Sequence, residues 1–133
     1  MNYQSTKEND AISSNGMVAT SHPLATEEAL KILKNGGNAI DAAITASIIL
    51  SVTEPNATSI GGDCFAIVKM NGKDPVAYNG SGMAPEKANF EFFKNNNIDK
   101  IGLTSPHSVT IPGAVDAWEK IHSDFGKLDF EQL

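Results

Sequence analysis

Three groups of residues in this 133-residue chain could do chemistry. The first is Cys64 with a histidine, the pairing that activates a thiol nucleophile. His22, His107 and His122 are expected on a strand end, a loop and a helix, and no local spacing ties any of them to Cys64. A lone cysteine at the start of a strand is ordinarily a small buried hydrophobe. The second is metal ligation, for which there is neither a two-histidine helix face nor a cysteine pair. No metal and no cofactor are expected. "GSGMAP" offers Pro85 where a dinucleotide loop needs its last glycine, and no βαβ unit surrounds it.

The third group is two glycine clusters, "SIGGD" and "NGSG", at the outer ends of a hairpin. Glycines at strand ends serve bulges and turns, or they open room for a ligand beside the strands. Residue types alone leave both readings open.

Composition narrows the partners. Formal net charge is −6 and all ten basic residues are lysine. A nucleic acid or an anionic membrane needs a basic face, so neither is expected. Without arginine the chain cannot offer a planar guanidinium fork to a carboxylate. One cysteine permits no internal disulfide, residues 1–16 lack a secretory pattern, and the longest apolar run is too short to span a bilayer. A cytoplasmic location is expected.

The elements that must position these residues follow from pattern. Residues 1–15 read as a disordered or loosely attached tail, and residues 16–133 as one folded segment. "GMVATSH" (16–22) suits a strand. "LATEEALKILKN" (24–35) reads as a helix capped by Thr26 and stopped by Gly36-Gly37. Asn38 caps a second helix over 39–52, apolar almost all round and expected to be fully buried. "CFAIVKM" (64–70) and "DPVAYN" (74–79) flank the turn "NGKD". A helix is expected over 85–97 with Phe92 and Phe93 inward, then extended chain over 108–113. The last helix spans 114–126, with Val115, Trp118 and Ile121 inward and Gly126 closing it.

"GMVATSHPLA", "ALKILKNGGNAIDAAI", "EPNATSIGGDCF", "NGSGMAP" and "SVTIPGAVDAWEKIHSDFG" together resemble the N-terminal part of the gamma-glutamyltranspeptidase family. Within it, "IGGDCF" and "NGSG" look closer to the acylase and oxamate-amidohydrolase branch. The resemblance implies an α+β fold, part of the αββα sandwich of N-terminal-nucleophile hydrolases, with helices packed on an antiparallel sheet. It implies a longer precursor that cuts itself and frees a threonine, absent from this chain, in a C-terminal small subunit. That subunit would be the partner, and a small amide the substrate. The chain alone is expected to be inactive and to self-associate through uncovered sheet edge and apolar surface. Family members that process glutathione place an arginine just before "AP", and that position falls on Ser81 or Met83 here. The resemblance therefore implies an acyl group smaller or differently charged than γ-glutamyl. Asn79, Gly80, Ser81 and Met83 are the expected substrate wall. Gly61 and Gly62 shape the backbone beside it, and Asp63 partners nearby amides. The competing expectation is a small binding module, or a decayed family remnant, without catalysis.

Overall fold

The computed structural model describes residues 11–133; residues 1–10 of the expected tail lie outside it. The order is α1 (Pro23–Lys34), α2 (Ala39–Thr53), β1 (Cys64–Val68), β2 (Val76–Gly80), α3 (Phe90–Asn95) and α4 (Ala114–Phe125), with 3-10 turns at Pro106–Ser108 and Phe130–Gln132. The fold is mixed α+β. Its sheet among the described residues is a two-stranded antiparallel pair, in register from Cys64 opposite Gly80 to Val68 opposite Val76.

α1 begins one residue earlier than the sequence suggested. His22 is its cap, its Nδ1 accepting the Leu24 N–H at 3.2 Å, and Pro23 takes the first helical position. Thr26, expected to cap, lies inside the helix, its hydroxyl 2.7 Å from that of Thr20. Gly36 ends the helix at φ +95°, the left-handed turn for which glycine is suited. The expected strand over 16–22 is absent. Those residues run without regular pairing, and Gly16 to Thr20 lie along α2.

α2 starts with a reciprocal cap. Asn38 Oδ1 accepts N–H bonds from Ile40 and Asp41, while the Asp41 carboxylate accepts the Asn38 N–H at 2.8 Å. Asp41 is wholly buried and also accepts the backbone N–H groups of Lys127 at 3.0 Å and Leu128 at 3.4 Å. This carboxylate ties the start of α2 to the chain just after α4. One face of α2 packs Ala42 and Ala46 on Ala25 and Ala29 of α1. Another joins Ile40 and Ile44 to Val68, Ala114, Trp118 and Ile121. The helix is not buried all round: Ala43 is exposed and Val52 is 76% exposed.

α3 is shorter than the expected 85–97 helix. Residues 85–88 form a turn closed by the Ala88 N–H on the Pro85 carbonyl, and Asn89 caps the helix only afterwards. Phe92 and Phe93 pack edge-to-face with each other and with His107. In α4, Trp118 and Ile121 are buried as expected, but Val115 points out and is 46% exposed. Gly126 ends α4 at φ −63°, so no left-handed residue closes it.

The chain exposes 10,248 Å², whereas a compact monomer of this mass exposes about 6,700 Å². Ten fully extended residues contribute about 1,700 Å² on the same scale, so the first ten cannot explain the excess. Phe65 and Ile67 on β1 account for part of it, at 66% and 79% exposed.

Candidate active-site wall

Three segments distant in sequence meet at the end of the hairpin away from its turn. The carbonyl of Gly62 accepts the N–H groups of Gly113 at 3.1 Å and Ala114 at 3.0 Å, which anchors the start of α4. The Ile111 N–H donates to the Met83 carbonyl at 2.9 Å, and the Thr110 hydroxyl to the Ser81 carbonyl at 3.0 Å. Residues 81–83 and 110–112 therefore run side by side.

Glycine makes this approach possible. Gly82 sits at φ +70°, and a Cβ there would collide with the Ile111 carbonyl. At Gly113 a Cβ would lie 2.5 Å from the Gly80 carbonyl oxygen and 2.6 Å from the Gly82 nitrogen. At Gly80 it would strike Ala117 and the Cys64 carbonyl. Each glycine permits backbone where any side chain would stand.

The result is a groove of about 580 Å³ lined by Asn79, Gly80, Ser81, Gly82, Met83, Ile111, Pro112, Gly113 and Asp116. The structure thus brings together Asn79, Gly80, Ser81 and Met83, which the sequence had singled out. Asn79 turns its side chain back to accept the Ser81 N–H at 3.1 Å, and Met83 is 76% exposed. The other expected residues separate. Gly61 faces Ser59 without crowding and does not line the groove; Gly62 contributes its carbonyl rather than open space. Neither has a positive φ. Asp63 Oδ1 lies 3.3 Å from the Thr110 hydroxyl, as a second and longer acceptor of that group, so its neighbour is a hydroxyl where nearby amides were expected.

Gly82 belongs to the "NGSG" cluster that the sequence pointed to, whereas Gly113, Thr110 and Asp116 were not anticipated. The signal present in the sequence was the "PGAVD" junction, where a glycine precedes a helix that carries an acid in its first turn.

Cys64 stands apart. Burial pushes its thiol above the ordinary range, opposite to an activated thiolate. Among the described residues no group of three His, Cys, Asp or Glu could hold a metal ion, and no helix is long and apolar enough to cross a membrane.

Comparison with known proteins decides the relationship. The gamma-glutamyltranspeptidase family model matches residues 25–133, from α1 through the groove to the last residue. The chain belongs to this family. It is 35% identical over 119 residues to the glutathione hydrolase-like YwrD proenzyme of Bacillus subtilis, spanning 88% of this chain and 22% of that protein. The cephalosporin acylase from Bacillus halodurans superposes with a TM-score of 0.81 at 41% identity, over 96% of this chain and 24% of that one. Helicobacter pylori gamma-glutamyltranspeptidase gives 0.82 at 32% identity, over 92% of this chain and 36% of that one. The chain therefore spans about a fifth of the length of the curated relatives it matches.

Proposed function

We propose that this chain forms one wall of the acyl-substrate pocket in a longer, self-processing amidohydrolase. The observation that carries the reading is the glycine-built groove beside the hairpin, within a segment that matches the family from residue 25 onward. Ser81 and Met83 present the wall, Gly80, Gly82 and Gly113 let its backbone segments pack together, and Asn79 fixes the backbone at Ser81. A threonine freed by cleavage of the remaining polypeptide attacks the amide carbonyl, with its own N-terminal amine as base. The acyl group passes to that threonine, the amine leaves, and water or a second amine then takes the acyl group. The same remaining polypeptide covers β1 and completes a layered sandwich, which accounts for the surface left open here. The compartment that fits the single cysteine is the cytoplasm.

The test is expression of the reading frame that contains this chain, with and without its continuation. The continued protein is expected to split into two subunits and release p-nitroaniline from short acyl p-nitroanilides, and the 133-residue chain to release none. Turnover by the chain alone, or an intact and inactive longer protein, overturns the reading.

A further inference from the structure

Asp41 and Asp116 occupy the same position, the third residue of a helix, yet they are used differently. Asp41 reaches back to the N–H of its cap residue Asn38. In α4 the corresponding N–H, that of Gly113, is already donated to the Gly62 carbonyl at 3.1 Å. The helix has no side-chain cap, and Asp116 enters none of the ion pairs among the described residues. A carboxylate in a first turn gains from the helix dipole wherever it points, so position alone assigns nothing. The groove supplies the second observation. Asp116 lines it, is exposed, and among the described residues is the only charged one that does.

We infer that Asp116 is a specificity determinant, and that the groove takes an acyl group ending in a protonated amine. This deepens the proposed function and rests on it. Met83 and Ile111 flank the groove with apolar surface suited to a short methylene chain. An ammonium at its far end meets the free carboxylate. An acyl group ending in a carboxylate would face Asp116 with no cation on the wall to offset the repulsion.

The experiment compares three p-nitroanilides in the longer protein: 4-aminobutyryl, its isostere pentanoyl, and the carboxylate-ended glutaryl. The expected order of kcat/KM is amine over methyl over carboxylate. Asp116→Asn should lower the aminobutyryl-to-pentanoyl ratio by about fivefold, the scale of a partly exposed ion pair. Asp116→Lys should make glutaryl the better of the charged pair. Glu119→Gln, on the same helix outside the groove, should leave the ratio alone. An unchanged ratio in Asp116→Asn, or an equal change in Glu119→Gln, overturns the inference. If no anilide is cleaved, the amidohydrolase reading fails, and binding decides separately. The probes are 4-aminobutyramide and pentanamide, followed by shifts of the Gly80, Gly82 and Gly113 amides. Preference for the amine that is lost in Asp116→Asn supports the inference, and equal affinity overturns it.

Discussion

Gly82→Ala tests whether the groove is held by close backbone approach. The substitution has two costs. Holding a non-glycine residue at φ +70° costs about 1 kcal/mol. The new methyl also collides with the Ile111 carbonyl, so residues 81–83 must retreat from 110–112. That retreat breaks the Ile111–Met83 and Thr110–Ser81 hydrogen bonds, worth about 1 kcal/mol each. The sum is about 3 kcal/mol. Gly72→Ala is the matched control, because Gly72 has φ +71° and nothing within 4 Å of its would-be Cβ. It bears the conformational cost alone, about 1 kcal/mol. Urea unfolding of the three proteins reads the difference: with similar slopes, the midpoint of Gly82→Ala should fall by about three times the shift of Gly72→Ala. Equal shifts would refute the close-approach argument and leave only the dihedral.

Three further outcomes follow from the packing. Asp41→Ala removes the acceptor of three backbone N–H groups from a fully buried site. It should cost about 3–5 kcal/mol in urea unfolding, with Asp41→Asn recovering part; a loss below 1 kcal/mol would contradict the network. Burial, then the 2.6 Å hydrogen bond donated to Asp124, pushes the Tyr78 phenol from 10.0 up to about 12. The folded state thus holds its proton more tightly, so this stabilisation is complete below pH 10.0 and disappears as pH rises through about 12. Tyr78→Phe should flatten the stability profile in that window, and an unaltered slope would remove Tyr78 as its source. The excess surface leads us to expect concentration-dependent association of the isolated chain in light scattering; a monomer across a hundredfold dilution series would count against it.

Elements with local signals were legible in the sequence. Asn38 before an apolar run marks the start of α2 without tertiary information, while the reciprocal bond from Asp41 emerged only in the structure. The turn signal "NGKD" between two strand-like runs marks the hairpin in the same way. The expected strand over 16–22 failed because, among the described residues, no strand lies beside it to pair with. α3 was overextended because "PEKAN" looks helical until Asn89 is seen to cap. At the site, Ser81 and Met83 were singled out by the family resemblance, since their residue types alone carry no signal. Gly113 and Asp116 were not, since their roles depend on what Gly62 and Gly80 bring from elsewhere. Gly113 ends the extended run expected over 108–113, and nothing in its local sequence singles out Asp116.

The carbonyl of Gly62 joins residues some fifty positions apart. Forming that contact closes a loop containing the whole hairpin and α3, so the groove exists only after the loop has shut. The entropy of closure is spent before any groove contact forms, which places the groove late among folding events. Occupancy and loop closure are then linked: a molecule held between residues 81–83 and 111–116 binds only the closed chain. It raises the opening free energy of everything between residues 62 and 113. Slowed amide exchange in β1 and α3, neither of which lines the groove, would be the trace of that coupling.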